Sequence, residues 1–478
     1  MAAHGRRLLA KKTRAALLRR RSAERSALNL TAGAGRRERR GAGARPPIRF
    51  HQNVMLGPNI MWALAALRHA GESGDGVWLR RWLPKIRRAV GWVLSYAKGL
   101  PQCRFAAIPA TAWPAGDEPD GSVSYCASHL AVPNATAPKL ISAPGPLWNV
   151  PFDMKGNMSA DSNAIAVILL RELADAEQFV ANASGAATLR AAADTLSGAL
   201  QALWRHDHFA SQIGVDGSEK DWVDNDANFL AIAAGAATPT QAAAFAARFG
   251  RGMGGRCKRP TWVVERPPCG TGANGRRVEC PDARVSEARV AWTEALARDA
   301  MGDTAALRTR LVEPLRTDVL RDTWLSERYS CDGAPIRTPY FFEYPSLLAI
   351  LLREFHYGLR LRVGTVSLRP LLATPPFSWA VGSAVEILHR RHYVRLRVPL
   401  LVGDVRFTVG ALCAGERYKV RHEGGPEKGC ALGADGAAPA LRVDADGEGV
   451  ARFTATVRAG CERRAVLVVA ARGEAACR

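Results

Sequence analysis

The sequence predicts a mainly helical fold made of repeated helix hairpins, followed by an antiparallel β-domain. Three observations lead there. Polar, acid-bearing loops run repeatedly into dense apolar helices; the later helix starts, near 162, 226, 286 and 343, fall about 60 residues apart; and after Gly358 the apolar period changes from helical to two. The chain has 478 residues, 47% of them hydrophobic, which is enough for two or three domains with sizeable cores.

The last helix carries the clearest signal. In RTPYFFEYPSLLAILLREF, 337–355, Leu347, Leu348, Ile350, Leu351, Leu352 and Phe355 come too densely for a surface helix, which predicts burial on most sides. Pro345 suits a first turn, where a missing N–H is no loss. Glu343 then falls just outside the helix N-terminus, among Tyr340, Phe341, Phe342 and Tyr344. Such a carboxylate has two readings: a partner of the helix dipole, worth about 0.3–1 kcal/mol, or an acid in a sugar pocket.

The same pattern recurs upstream. WNVPFDMKGNMSADSNAIAVILLRE, 148–172, carries Asp153 and Asp161 into a helix, and DWVDNDANFLAIAAG, 221–235, carries Asp221, Trp222, Asp224 and Asp226 into another. Weaker copies stand at 51–67 and 285–298. Helices are expected in inner and outer pairs over 57–70 and 77–98, 162–180 and 186–206, 226–237 and 239–249, and 286–301 and 304–319, with 343–357 as the last inner one. That gives five inner and four outer helices, with 6–28 able to supply one more. The stretches 101–146 and 251–284 read as irregular insertions, rich in Pro and Gly.

Beyond 358, LRLRVGTVSLRPLL, AVEILHRRHYVRLRVPLLV, VRFTVGAL, ERYKVRHE, ALRVDADG and VARFTATVRAG alternate apolar with polar residues between Gly, Pro and Asp turns. They predict a β-sandwich-like domain over 360–478, the alternate Arg and Lys forming a solvated sheet face. The domain organisation expected is therefore a basic arm at 1–49, disordered or helical, a helical domain at 50–359 and the β-domain at 360–478.

Charge is concentrated in that arm. The net charge is +22; residues 1–50 hold 15 Lys and Arg against 2 Glu, giving +13, and the remainder hold 51 against 42, giving +9. An organelle-targeting segment, a basic arm for anionic partners, and residual sequence from a truncated or misassigned start all fit its composition. Nucleic acid is not the expected partner, because aromatic residues are not interleaved with the charges. No run of eighteen apolar residues exists, so no membrane span is expected.

Ten cysteines occur, without a CxxC pair or zinc-finger histidine spacing, so neither a metal site nor a cofactor is expected. Cys413, Cys430, Cys461 and Cys477 crowd the β-rich tail, and Cys257, Cys269 and Cys280 one insertion, which suits disulfides in an oxidising compartment. Sequons at Asn29, Asn134, Asn157 and Asn182 lean toward the secretory route and a glycoprotein, although no signal peptide is visible.

Taken together, GPLWNVPFDMKGNMSADSNAIAVILLREL, DWVDNDANFLAIAAGAA and RTPYFFEYPSLLAILLREFHYGLRLRVGTVSLRP resemble the six-hairpin, (α/α)6-toroid glycoside hydrolases, including trehalases and processing glucosidases. The resemblance covers about residues 50–375 and implies a toroid, incomplete at its N-terminal side, followed by the β-domain. It also implies an inverting glycosidase acting on a carbohydrate substrate, in which one carboxylic acid protonates the leaving oxygen and a second carboxylate activates water on the opposite sugar face. Carried over, Glu343 matches the base, Asp161 the general acid and Asp226 or Asp224 a rival acid. Asp153 and Asp224 would bind sugar hydroxyls, and Trp148, Phe152, Trp222, Tyr340, Phe341 and Tyr344 would stack on sugar rings. Asn225 departs from the aromatic residue expected at its position.

Each residue also has a structural reading. Asp161 and Asp226 could cap their helices, and the aromatics could be core packing. At the level of the whole chain the rivals are a carbohydrate-binding pseudoenzyme or truncated inactive homologue, a nucleic-acid binder acting through the arm, and an epimerase or lyase on a similar toroid.

Overall fold

The computed structural model describes residues 57–95, 140–141, 158–213, 219–251, 257, 286–322, 324–339, 342–382, 384–423, 441–462 and 465–471. The chain divides between residues 50 and 51 into two units, and all the described residues belong to the second. The predicted basic arm and both predicted insertions, save Leu140, Ile141, Arg251 and Cys257, lie outside the described residues.

Within the second unit the helices come in hairpins. The first pairs α1 (Gly57–Ser73) with α2 (Gly76–Ser95), and the second α3 (Ala160–Phe179) with α4 (Ala183–Ala199) and its 3-10 turn Leu200–Leu203. The third pairs α5 (Asn225–Ala233) with α6 (Pro239–Arg251). The fourth pairs α7 (Ala288–Ala300) with α8, which runs through Thr304–Ala306, a π-helical stretch Leu307–Val312 and Glu313–Asp322. The last interior helix, α9, is Glu343–Ile350 continued by a π-helical Leu351–His356.

Burial distinguishes α5 from α2 most clearly, whereas α9, expected to be buried on most sides, leaves Pro345, Ser346, Ala349 and Leu352 exposed. α5 is buried from Asn225 to Ile232 with no polar face, as expected of a core helix. Of the described side chains of α2, only Leu79, Leu83, Ile86, Val90 and Val93 are buried, and its Pro84 lies on the exposed side. Side chains of α1, α3, α5, α7 and α9 share one hydrophobic core, and α3 packs on α1 and α5, α5 on α7, and α7 on α9. The expected five interior and four outer helices are present among the described residues.

Two small sheets that the sequence did not announce fix the starts of the interior helices. β1 (Met158–Ser159), β2 (Ala210–Ile213) and β3 (Glu219–Val223) form one, in the order β1-β2-β3. β4 (Ser286–Glu287), β5 (Ser326–Tyr329) and β6 (Pro335–Pro339) repeat the plan. In each sheet a two-residue strand runs directly into an interior helix and pairs antiparallel with the first strand of the hairpin that leads to the next one. The starts of α3 and α5 are thereby tied together, and so are those of α7 and α9.

The β-domain holds β7 (Leu359–Arg362), β8 (Thr365–Leu368), β9 (Phe377–Val381), β10 (Val385–Arg390), β11 (Tyr393–Arg397), β12 (Gly403–Val409), β13 (Arg417–His422), β14 (Leu441–Asp444), β15 (Ala451–Val457) and β16 (Val466–Ala470). A six-stranded sheet has the order β14-β13-β16-β11-β10-β9 and a four-stranded one β15-β12-β8-β7. Val405, Phe407 and Ala455 of the smaller sheet and Ile387, Val394, Val420 and Val468 of the larger share a single core. One pair departs from the antiparallel expectation: β12 runs parallel to β8.

The solvated-face expectation holds for β13, where Arg417, Lys419 and Arg421 are exposed and Tyr418, Val420 and His422 buried. It fails on β7. There Arg360 pairs with Asp299 of α7 at 2.7 Å, and Arg362 with Glu354 of α9 at 3.0 Å, because this strand lies against helices rather than water. Gly71 of α1 makes that approach possible, since a Cβ there would stand 2.6 Å from the Arg362 carbonyl carbon.

The same contact belongs to a charge network. Arg68 and Glu72 of α1, Glu172 of α3, Arg353 and Glu354 of α9, and Arg362 interlock through Arg68–Glu172 at 2.7 Å, Arg353–Glu72 at 2.7 Å and Arg353–Glu354 at 2.8 Å. The first and last interior helices are thus joined at their C-terminal halves. Cys257 and Cys331 form a disulfide, and Cys413 and Cys461 are disulfide-bonded as well, in keeping with the expected use of cysteine.

Candidate active site

The N-terminal turns of α3 and α5 are built alike. In α3, Asn163 donates to the Ser159 carbonyl at 2.8 Å and exchanges two hydrogen bonds with the backbone of Ile141, at 2.7 and 3.1 Å. In α5, Asn228 donates to the Asp224 carbonyl at 2.8 Å and does the same with Phe209, at 2.7 and 3.2 Å. Each asparagine clamps an earlier loop to the start of its helix. Asp161 and Asp226, two residues before the clamps, therefore occupy equivalent places as the second residue of their helices.

This placement corrects two expectations. Ser159, not Asp161, is the N-cap of α3. Asp161 lies inside the first turn, fully buried, with Oδ1 accepting from the Ser162 N–H at 2.7 Å. In α5 the cap is Asp224, whose Oδ1 accepts from the N–H groups of Asp226 and Ala227 at 3.1 and 3.3 Å, the usual N-cap arrangement. Asp226 is left to face α7. Its Oδ1 accepts from the Thr293 hydroxyl at 2.7 Å, and its Oδ2 lies 3.6 Å from Arg289 Nε.

Arg289 extends the link to α9. Its guanidinium also pairs with Glu287 at 3.1 Å, and Glu287 pairs in turn with Arg328 at 3.0 Å across the β4–β5 register. Ser286 and Tyr344 share a hydroxyl hydrogen bond of 2.5 Å, which ties β4 to the first turn of α9. Glu343, the first residue of that helix, is partly buried beside this cluster. Burial, and after it the charge of Glu287, push the Glu343 carboxyl above the ordinary carboxylate range; Glu327 acts the same way, against Arg289 and Arg328.

Asp226 therefore contacts Arg289 directly, Glu343 lies within reach of the charges of Arg289 and Glu287, and Asp161 stands in the first turn of α3, whose start is tied to that of α5 through the β1–β2–β3 sheet. Tyr344, expected on a sugar, is buried, with its ring 5.0 Å edge-on from Tyr329. Trp148, Phe152, Asp153, Tyr340 and Phe341 lie outside the described residues, as does the side chain of Trp222. Sequence reasoning did not single out Glu287, Arg289, Thr293 or Arg328. The available signal was the copy VSEARVAWTEALAR, in which Glu287 stands at the strand-to-helix step held by Ser159 in MSADSN. No group of acidic, His or Cys side chains among the described residues could hold a metal ion.

No family model matches the chain, and no curated protein matches its sequence. Solved structures do. A GH78 rhamnosidase of Bacillus sp. GL1 is 14% identical, with a TM-score of 0.44 over 72% of this chain and 31% of its own. The neutral trehalase of Saccharomyces cerevisiae is 14% identical, with a TM-score of 0.33 over 41% of this chain and 37% of its own. The GH63 mannosylglycerate hydrolase of Thermus thermophilus, in complex with glucose, is 19% identical, with a TM-score of 0.41 over 66% of this chain and 79% of its own. All three are (α/α)6-toroid glycoside hydrolases. The matched part of this chain spans about a third of the rhamnosidase and of the trehalase.

Proposed function

We propose that this chain is a glycoside hydrolase that cleaves a glycosidic bond with inversion, using carboxylates presented at the starts of its interior helices. The observation that carries the reading is the convergence of three helix starts. Asp226 on α5 reaches Arg289 on α7, Arg289 reaches Glu287 on β4, and Glu343 on α9 stands beside both. A carboxyl with a raised pKa, Glu343, near charged groups from separate elements is what acid–base chemistry uses.

In this reading Glu343 is the base. A desolvated carboxylate with a raised pKa is a stronger base at neutral pH than an exposed one, so it would take the proton from water attacking the anomeric carbon. Asp161 would donate the proton to the leaving oxygen, as the resemblance implies. Asp226 suits that second task less well. Its contact with Arg289 and its bond from Thr293 engage both carboxylate oxygens, which fits a role in holding the cluster together.

A second reading is favoured by one observation: Asp161 and Asp226 are both 0% exposed. A carbohydrate-binding protein without turnover would tolerate such burial. The two readings part in an assay of α-linked disaccharides and oligosaccharides followed by proton NMR. The hydrolase reading expects release of a reducing sugar whose first-formed anomer is opposite in configuration to the bond cleaved. Saturable binding with no product would establish the non-catalytic reading, and a retained anomer would refute the two-carboxylate inverting mechanism.

A further inference from the structure

Outside its basic arm the chain carries an excess of 51 − 42 = +9 charges, and a large share of it is on one outer helix. α2, GVWLRRWLPKIRRAVGWVLS, has five basic residues and no acidic one. Arg87 is neutralised by Glu177 at 2.5 Å. Arg80, Arg81, Lys85 and Arg88 are exposed and form no ion pair with the described residues.

Arg81, Lys85 and Arg88 recur at intervals of four and three, so they line one stripe about two helical turns long, or roughly 10 Å. Aromatic rings flank it. Lys85 Nζ lies 3.8 Å above the Trp82 ring, Trp78 stacks on Trp82 at 5.7 Å, and Trp62 of α1, 41% exposed, meets Trp82 edge-on at 6.2 Å. Trp78 and Trp82 also pack on the helical core, which leaves Trp62 as the ring most open to a ligand, and like charges one turn apart repel unless an anion lies between them.

We propose that this face of the α1–α2 hairpin binds an anionic polysaccharide, with carboxylate or sulfate groups on the Arg81–Lys85–Arg88 stripe and a pyranose ring against the exposed part of Trp62. The charge complement is set by the stripe itself; the choice of a glycan over a nucleic acid rests on the hydrolase reading. Successive cations one turn apart suit a polymer with one anionic group on each sugar ring. The face lies on an outer helix and would hold a chain rather than cleave it.

The test is binding of polygalacturonate to the full chain, followed by calorimetry and tryptophan fluorescence, with dextran as the neutral probe and a single-stranded oligodeoxynucleotide as the competing polyanion. Comparing the full chain with its Arg81→Ser/Arg88→Ser double variant keeps the basic arm constant, and both positions are exposed enough to leave folding intact. The expected result is saturable, salt-sensitive binding of polygalacturonate with a change in tryptophan emission, no binding of dextran, and roughly tenfold weaker binding by the double variant, from the loss of two surface ion pairs. Equal affinity in the double variant, or no binding of polygalacturonate, would overturn the proposal. Tighter variant-sensitive binding of the oligonucleotide would overturn the glycan assignment while leaving turnover on neutral oligosaccharides, and hence the hydrolase reading, untouched.

Discussion

Replacing Glu354 with Gln tests how the first and last interior helices are held together. Glu354 is 2% exposed, and its carboxylate accepts from Arg353 at 2.8 Å and from Arg362 at 3.0 Å. Burial alone would raise its pKa, but Arg362, Arg68 and Arg353 outweigh that effect and hold the carboxyl at about 2 against an ordinary 4.5. The difference corresponds to roughly 3 kcal/mol of stability at neutral pH. Because the folded value is depressed, this stability is fully present above about pH 4.5 and is lost as pH falls toward 2. Glu354→Gln keeps the shape and removes the charge, leaving Arg68, Arg353 and Arg362 against Glu72 and Glu172. Denaturant unfolding should show the variant weaker by about 3 kcal/mol at pH 7 and by roughly 1.5 kcal/mol at pH 3. An equal loss at both pH values, or none at pH 7, would refute the electrostatic account of this network.

Other perturbations reach other parts of the structure. Gly358 has φ +72° and its Cβ would meet the Arg369 carbonyl oxygen at 1.8 Å, whereas Gly302 has φ +71° with nothing within 4 Å; Gly358→Ala should cost well over 2 kcal/mol and Gly302→Ala about 1 kcal/mol in thermal unfolding. Removing the Cys257–Cys331 disulfide, whose cysteines are 74 residues apart, should lower stability by about 4 kcal/mol, measured by unfolding of the Cys331→Ser variant. Glu287→Gln should move the acidic limb of the kcat/KM profile to lower pH. Burial is the larger reason that the Glu343 proton is held, Glu287 is the next, and neutralising Glu287 weakens that hold; an upward or absent shift would remove Glu287 from the site.

The helices were legible because they are long and their apolar residues dense, so each expected pair is present with its ends moved by a few residues. Those few residues matter at the site. Moving the start of α5 by one position makes Asp224 rather than Asp226 the cap and sends Asp226 toward Arg289. The small sheets escaped notice because β1 and β4 have two residues each, too few for any alternation to register. β16, VLVVA, was missed for the opposite reason: paired on both edges, with four of its five residues buried, it is a continuous apolar run. The Asp-x-Asn repeat at 161–163 and 226–228 was visible in the sequence, yet the clamping role of Asn163 and Asn228 depends on Ile141 and Phe209, which only the fold brings alongside. Glu287 joins the cluster through Arg289 and Arg328, and Arg328 reaches it only through strand pairing.

The central claim is that the starts of interior helices deliver a carboxylate, Glu343, to the bond being cleaved. Its most direct measurement is turnover per folded molecule of Glu343→Gln, on whichever oligosaccharide the wild-type chain hydrolyses, with the thermal unfolding midpoint recorded on the same samples. Turnover should fall by several orders of magnitude with the midpoint held or slightly raised, since a half-buried charge is removed. Turnover retained in the folded fraction, with a clearly lowered midpoint, would contradict it and make Glu343 a structural partner of its helix.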